Sequence, residues 1–521
     1  MGYVVGNIYI ITAVAVIGGA LFGFDIASMS AILGTQQYKC FFNQTGHNDK
    51  GDCGGPTSST QGGISAAMPG GSFVGALISG FITDYLGRKR AIQTGSIIWC
   101  IGSAIVCSSF SIGQLVAGRF INGLSVGILS AQVPVYVAEL AQPSKRGQVV
   151  GAQQWAITWG ILIMFYISYG SSFLTGPAAW RLPWGLQMVP AVFLFFMFFL
   201  LPESPRWLAK HDRWEEAHEV LALVHAKGDT SAPFVLTELQ EIRDMVDFER
   251  QNEDASYVEL FKGHMIYRTH IGMFTQIWSQ LTGMNVMMLY ITYVFGMAGL
   301  SGNANLVASS IQYVINVVMT VLALLFIDRW GRRTPPAGIM KSYGKPAQPG
   351  GVDNVAEESW DLSAAPGAAK GVIACTYLFV ASYAPTWGPV SWIYPPELFP
   401  LRLRGKAVAL STASNWIFNF ALSYFVPPAF ENIKWKVYLV FGVFCFAMTV
   451  HVYFCFPETA GKTLEEVETM FTTPGMRAWK TSVQFQHVRQ LELGAIQSEK
   501  MTEMQTESAG EKRGPAVTQV D

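Results

Sequence analysis

Charge and cysteine are both scarce in this sequence of 521 residues. Charged residues make up 14% of the chain, whereas a soluble domain carries about 25%, so the deficit must be concentrated in particular segments. The 7 cysteines are too few for a disulfide scaffold, and no Cys-x-x-Cys or histidine-rich metal spacing occurs. The formal net charge of −1 gives no reason to expect nucleic acid. We therefore predict no cofactor, no metal site and no nucleic-acid partner.

Long hydrophobic runs, in contrast, are abundant in the sequence. A helix that spans a bilayer needs about 20 mostly apolar residues. Eleven stretches qualify, and the first is too long for a cleavable signal peptide. We predict an all-α, polytopic membrane protein whose main partner is the lipid bilayer. The predicted spans lie near 8–33, 62–82, 91–110, 115–138, 149–172, 182–201, 268–296, 305–327, 371–394, 405–430 and 435–456.

The distribution of positive charge orients these spans, because Lys and Arg remain on the cytoplasmic side of a membrane. Short basic loops at 88–90, 145–146, 329–333 and 402–406 are therefore predicted to be inside. The N-terminus is then also inside, and the first loop, 34–61, is outside.

The outer loop carries two signals of covalent modification. Cys40 and Cys53 are a candidate disulfide, and Asn43 begins the only Asn-x-Thr sequon. An unmodified flexible loop is the alternative interpretation.

Composition divides the chain into four predicted regions. A six-helix bundle covers 1–201, and a charged block at 202–267 has helical spacing in 213–225 and 236–250, typical of cytoplasmic linker helices. A second bundle with five spans covers 268–470. The polar tail, 471–521, is predicted to be cytoplasmic and disordered.

Three cytoplasmic patterns occur twice in the same order, which predicts two tandem halves of one orientation. Acidic and Arg groups at helix ends can pair across the halves and hold the inner side shut. The alternative, that the basic residues only satisfy the rule of positive loops inside, does not explain the recurring carboxylates. The predicted cytoplasmic gate comprises Asp84, Arg88, Glu139, Arg146 and Glu203 in the first half, and Asp328, Arg332, Glu397, Arg404 and Glu458 in the second.

Several longer motifs resemble the sugar porter family of the major facilitator superfamily, over about residues 8–470. Within that family the chain most resembles fungal high-affinity glucose and hexose permeases, notably at 274–283. The resemblance implies two pseudo-symmetric helical bundles, proton symport and the plasma membrane. The motifs are Gly18-Gly19-Ala20-Leu21-Phe22-Gly23-Phe24-Asp25, Pro134-Val-Tyr136-Val-Ala-Glu139, Pro202-Glu203-Ser204-Pro205-Arg206-Trp207-Leu208, Gln280-Leu-Thr-Gly283-Met-Asn285 and Pro457-Glu458-Thr459 with Leu464-Glu465-Glu466.

Asp25 is an acid inside a predicted span, where a carboxylate is costly and usually functional. It lies about 12 Å from the outer end of its helix, and Arg119 lies about 8 Å from the outer end of another. The similar depth predicts that they pair. The resemblance implies that they are the proton-coupling pair, and a static buried salt bridge is the alternative.

Amide and aromatic side chains inside the spans suit a sugar, whose hydroxyls both donate and accept hydrogen bonds. Gln276 and Asn419 are among these amides. The resemblance assigns sugar binding to Gln154, Gln280, Asn285, Asn316, Trp392, Asn415 and Trp416. Any one of them could instead serve helix packing.

Two further features bear on the moving parts. The family's usual Gln-Gln pair is Ser279-Gln280 here, which leaves the preferred sugar open. The Gly388-Pro389 break is implied to be an extracellular gate hinge, and Pro427-Pro428 is predicted to close the next span.

The chain also departs from the family in its number of spans: the ninth of twelve expected spans is missing. Charge placement requires an even number of crossings between Arg333 and Arg402, yet only 371–394 is apolar enough. A deletion after Pro335 is predicted. Alternatively, 334–370 stays or folds back inside, a charge cluster is misplaced, or the gene model is faulty.

Three hypotheses for function follow. A proton-coupled hexose permease, with glucose as the expected sugar, is the first. A sugar sensor that binds without transport is the second, although its expected long tail is absent. A membrane enzyme is disfavoured, because no nucleophile–base constellation or metal cluster lies at a membrane face. Quinate, pentoses, disaccharides and polyols remain open as alternative substrates.

Overall fold

A computed structural model describes residues 5–44, 46, 53–141, 146–251, 257–263, 265–300, 302–326, 345–346, 360–362, 364–459, 467, 470–471 and 478–481. Within these residues, eight helices are long and apolar enough to cross a membrane. Helices also occupy the other predicted spans, where they are broken or less apolar. The prediction of an all-α, polytopic membrane protein is confirmed, and the exact number of spans stays a prediction.

The first half and the linker are helical throughout their described parts. The linker helices follow the two stretches of helical spacing in the sequence. The elements are α1 (Ile8–Ala15), α2 (Ile17–Leu33), α3 (Gln36–Phe41), α4 (Ser58–Leu86), α5 (Arg88–Cys107), α6 (Ile112–Leu140), α7 (Arg146–Ser171), α8 (Ala178–Leu186), α9 (Met188–Met197), α10 (Pro205–Lys210), α11 (Trp214–His225), α12 (Pro233–Gln251) and a 3₁₀ turn (Tyr257–Phe261).

The second half contains shorter, interrupted helices and one small β pair. The elements are α13 (Met265–Leu281), α14 (Met284–Leu289), α15 (Ile291–Met297), α16 (Gly302–Phe326), β1 (Lys345–Pro346), β2 (Trp360–Asp361), α17 (Pro366–Tyr383), α18 (Trp387–Leu398), α19 (Leu401–Asn432), a 3₁₀ turn (Lys434–Lys436), α20 (Val437–Cys455) and a 3₁₀ turn (Ala478–Lys480). β1 and β2 are antiparallel. Pro427 and Pro428 lie inside α19, which continues to Asn432 instead of closing there.

Small residues bring the helices of the first half together. A Cβ added at Gly71 or Gly75 of α4 would overlap backbone oxygens of α6, and one added at Gly123 or Gly127 of α6 would overlap those of α4. Close backbone approach of this kind is how membrane helices gain dispersion energy.

Breaks in the second half occur where the chain must turn inside the bundle. Gly283, between α13 and α14, has φ +84°, a left-handed conformation that favours glycine. A second break, at residues 384–386, separates α17 from α18 just before Gly388-Pro389. Irregular backbone at membrane depth is tolerated where protein or a cavity surrounds it. The breaks therefore place unwound backbone and polar side chains beside the cavity described below.

Leu362, in the segment that should contain the missing span, lies beside the outer end of α15. The Leu362 N–H donates to the Met297 carbonyl at the outer end of α15 (3.0 Å), and α17 begins just after it. The helices α16 and α17 therefore start at the same side and run in the same direction. The alternative, in which the whole of 334–370 stays on the cytoplasmic side, is therefore wrong for residues 360–362. Residues 327–344 and 347–359, where the deletion is predicted, lie outside the described residues.

Contacts group Met1–Val450 into one compact unit and His451–Asp521 into a second. The first unit includes the first predicted bundle, the linker and the predicted second bundle as far as Val450. The predicted boundaries at 201, 267 and 470 stay predictions, and most of the tail lies outside the described residues.

Candidate functional site

A polar cavity lies between the two halves at mid-bundle. Phe22, Gln154 and their neighbours on α2 and α7 form one wall, and six helices of the second half form the other. The cavity collects six of the seven residues predicted to bind sugar: Gln154, Gln280, Asn285, Asn316, Trp392 and Asn415.

Three amides form a connected chain in this cavity. Asn285 Nδ2 donates to Gln280 Oε1 (2.7 Å), and Gln280 Nε2 donates to Asn415 Oδ1 (2.6 Å). Asn415 Nδ2 is buried and has no hydrogen-bond partner among the described residues. A buried donor without a partner is costly, so the end of this chain is suited to a ligand hydroxyl.

The serine that replaces a glutamine is also paired. Ser279 Oγ and the Tyr383 hydroxyl lie 2.7 Å apart, and both residues line the cavity. Tyr383 thus fills part of the space that a longer side chain would occupy. Gln276 does not line the cavity; its Nε2 donates to the Ser391 carbonyl (2.7 Å) and holds α18 against α13.

Trp416 lies behind the wall of the cavity instead of lining it. Its indole N–H donates to Ser130 Oγ (3.2 Å), and its ring meets that of Phe22 edge to face at 4.9 Å. Phe22, which lines the cavity, is therefore supported from behind by Trp416. The sequence did not predict Phe22 and Tyr383 as lining residues, although Phe22 lies three residues before Asp25 in the motif at 18–25.

Asp25 and Arg119 form the predicted pair in the interior of the first half. Arg119 donates through both terminal nitrogens to the two carboxylate oxygens of Asp25 (3.2 and 2.9 Å). Its Nε donates to the Ile64 carbonyl on α4 (2.9 Å). The exposed fractions are 3% for Asp25 and 2% for Arg119, so the pair is screened from solvent and lipid.

The outer ends of the halves are in contact. The Ser30 and Tyr313 hydroxyls lie 3.0 Å apart, and Thr292 Oγ1 donates to the Ser30 carbonyl (3.4 Å). Ser30 lies on α2, one helical turn beyond Asp25, while Thr292 and Tyr313 belong to α15 and α16. The helix that carries the acid is thus hydrogen-bonded to α15 and α16 of the second half.

A charged cluster joins cytoplasmic helix ends of the first half and the linker. Arg88 donates to both carboxylate oxygens of Glu139 (3.0 Å each), and Ser204 Oγ also donates to Glu139. Glu203 accepts backbone N–H groups of Arg88, Lys89 and Ser204. Burial raises the pKa of the Glu203 carboxyl, against the opposing effect of these N–H donors.

The remaining residues of the predicted gate lie only partly within the described part of the chain. The described pairs lie within one half, so pairing across the halves stays a prediction. Arg404 donates from two nitrogens to the Phe399 carbonyl (3.3 and 3.2 Å). The side chain of Asp84 is exposed. The backbone N–H of Glu458 donates to the Thr481 hydroxyl. Glu397 is the last residue but one of α18, which ends at Leu398. Asp328, Arg332 and the side chain of Arg146 lie outside the described residues.

The outer loop contains a disulfide between Cys40 and Cys53, with a Cα–Cα distance of 5.0 Å. Asn43 exchanges two hydrogen bonds with Gly46 (3.2 Å each). Thr45 of the sequon lies outside the described residues, and glycosylation at Asn43 stays a prediction. The described residues contain no group of His, Cys, Asp and Glu that could hold a metal ion.

Residues 11–471 match the family model described as "Sugar (and other) transporter". The chain is similar to a high-affinity glucose transporter of Kluyveromyces lactis, with 46% identity over 91% of this chain and 87% of the relative. It is also similar to the MFS glucose transporter mfs1 of Aspergillus flavus, with 44% identity over 94% of each chain.

The fold is similar to that of the proton:xylose symporter XylE of E. coli bound to 6-bromo-6-deoxy-D-glucose. The TM-score is 0.71 and the identity 26%, over 89% of this chain and 99% of that one. The family match covers most of the chain, and the sequence relatives and the structural neighbour are named transporters. The chain therefore belongs to the sugar transporter family of the major facilitator superfamily, and it is a multi-pass membrane transporter, not an enzyme.

Proposed function

We propose that this sugar transporter carries a hexose, with glucose preferred, across the plasma membrane by proton symport and alternating access. The observation that carries the proposal is the amide-lined cavity between the halves, which has a buried acid–arginine pair on one of its bordering helices. The named glucose transporters among its relatives and the proton-coupled structural neighbour support it.

Sugar recognition would use the amide chain as a template. A hydroxyl of the sugar can accept from Asn415 Nδ2 while other hydroxyls bond Asn316 on the same wall and Gln154 on the opposite wall of the cavity. Trp392 and Phe22 offer apolar faces to the C–H groups of the ring. Because each amide both donates and accepts hydrogen bonds, the site would bind a densely hydroxylated ligand more tightly than an apolar ligand of the same size.

Proton coupling would depend on the charge of Asp25. A proton on this carboxyl removes the anion that Arg119 binds, while Arg119 keeps its hydrogen bond to the Ile64 carbonyl. This weakens the connection of α2 to α6. Since α2 also contacts α15 and α16 through Ser30, proton binding would shift the balance between outer-closed and outer-open states.

The test is uptake of radiolabelled glucose by cells that lack their own hexose transporters, with and without an uncoupler. We expect accumulation above the external concentration and its collapse when the proton gradient is dissipated. Unlabelled xylose, quinate, a polyol and a disaccharide serve as competitors, and glucose should compete best. Uptake that only equilibrates and ignores the uncoupler contradicts symport. Glucose binding without any uptake favours the sensor.

A further inference from the structure

An apolar groove opens on the outer part of the first half, away from the sugar cavity. It lies between the end of α5 and the start of α8, and Cys107, Leu182, Gly185 and Leu186 line it. The helix α5 starts at the cytoplasmic end, and its 20 residues extend about 30 Å, the thickness of the hydrocarbon layer. The groove therefore lies at the outer boundary between acyl chains and headgroups.

A single cation, Arg181, stands at the mouth of this groove. One terminal nitrogen donates to the Ser109 carbonyl (3.0 Å), and its Nε is buried without a hydrogen-bond partner. Phe110 and Trp180 lie 4.7 and 4.9 Å from the guanidinium carbon. No salt bridge to Arg181 occurs among the described residues. These rings, together with that of Phe41 at 5.7 Å, attract and orient the guanidinium, but no described carboxylate neutralises its positive charge.

Below Arg181 the groove continues as apolar surface toward the bilayer centre. Exposed side chains follow on both helices at helical spacing: Ile101 and Ile97 on α5, and Leu182, Leu186 and Val189 on α8 and α9. At Gly185 the two helices are close together, since a Cβ added there would lie in ordinary contact with Cys107 Sγ at 3.4 Å, and the missing side chain leaves the outer surface of this contact uncovered. A long methylene chain can therefore run down the groove from the level of Arg181.

We infer that this groove binds one glycerophospholipid of the outer leaflet, with its phosphate at Arg181 and an acyl chain lying on the surface along the contact of α5 with α8, where Cys107 Sγ and the Arg181 carbonyl are 3.3 Å apart. Charge complementarity decides the occupant, because a guanidinium without a carboxylate partner at headgroup depth matches a phosphate monoanion, to which its terminal nitrogens can donate. A sterol or a free phosphate satisfies only one part of the site. The bound lipid would brace the outer ends of α5 and α8.

The experiment is native mass spectrometry of the purified full-length chain titrated with dioleoylphosphatidylglycerol. Dioleoylglycerol has the same tails without phosphate, and inorganic phosphate has no tails. We expect one phosphatidylglycerol to be retained, about tenfold more weakly by Arg181→Gln because a charge-assisted pair is lost. Arg181→Lys should retain part of the affinity. Gly185→Leu fills the groove and should weaken binding while leaving the charge intact.

Arg213→Gln is the matched control, because Arg213 is an exposed arginine of the linker whose partner is Glu216. It should leave retention unchanged. Equal retention by wild type, Arg181→Gln and Gly185→Leu would overturn the inference. So would equal binding of dioleoylglycerol, which would indicate an apolar site only, or full displacement of the lipid by inorganic phosphate. Should Arg181→Gln lose its monodisperse profile in size exclusion, Gly185→Leu decides the question by itself.

Discussion

The carboxyl group of Asp25 carries the strongest functional prediction at the scale of single residues. Its two oxygens are bound by one guanidinium in a site with almost no solvent access. Removing only one member of such a pair leaves a buried charge without a partner and costs about 3–5 kcal/mol. A conclusive variant must therefore neutralise both members.

We expect the double variant Asp25→Asn with Arg119→Gln to fold and to exchange labelled glucose across the membrane without accumulating it. The proton-binding group is absent, whereas the amide cavity is intact. Accumulation and counterflow are measured in the same vesicles, with Asp229→Asn as the control because Asp229 is an exposed carboxylate of the linker. Undiminished uphill uptake by the double variant would mean that the pair is a static salt bridge.

Gln280 is the central member of the amide chain, and its removal tests the sugar site. Gln280→Ala deletes the acceptor for the half-buried Asn285 and the donor to the buried Asn415, so two amides lose a partner. We expect kcat/KM for glucose to fall about tenfold or more. Gln93→Ala is the control, since Gln93 donates to the Phe195 carbonyl away from the cavity. Equal kinetic loss in both variants would assign Gln280 to helix packing.

At the scale of elements, the contact between α11 and α12 makes the linker sensitive to acid. The ring of His225 packs against Phe234 at 5.4 Å, with Glu238 Oε2 at 3.9 Å. Burial lowers the pKa of His225 below its ordinary value of 6.5. The folded linker prefers the neutral ring, whereas the unfolded linker takes up a proton below about pH 6.5. The free energy of unfolding of the linker therefore decreases as the pH falls through this range.

Hydrogen exchange of peptides from α11 and α12 measures this effect, after correction for the intrinsic pH dependence of exchange. Protection should be lower at pH 5.5 than at pH 7.5 in the wild type. His225→Phe should flatten the difference, because the ring is kept and the titrating group is lost. His218→Gln, a change of a histidine that bonds the Thr230 carbonyl, should retain the wild-type difference. A flat profile in the wild type would contradict the assignment.

At the scale of the whole molecule, α16 and α17 present a problem of connectivity. Both start at the outer side, so the chain between them must return across the membrane. The described part of that connection is only the short β pair and its neighbour Leu362. A polar return segment is costly in a bilayer, whereas an apolar helix of about 20 residues satisfies its own backbone.

Insertion of such a helix after Pro335 is therefore expected to raise the amount of protein that reaches the cell surface. Surface biotinylation measures this, and an inserted polar Gly/Ser stretch of the same length is the control. An equal surface amount with and without the apolar helix would count against the deletion.

The sequence alone determined the positions of the helices, because a run of about 20 apolar residues is a local property, whereas their orientation, inferred from the side that holds Lys and Arg, stays a prediction. It also predicted the depth at which Asp25 meets Arg119, since rise per residue is fixed in a helix. The tertiary structure decided which side chains share one cavity. Trp416 was predicted to touch the sugar yet supports Phe22, while Tyr383 pairs with Ser279 at the lining. Those outcomes depend on helix rotation, crossing and breaks such as that at Gly283, which only the packing of all helices together fixes.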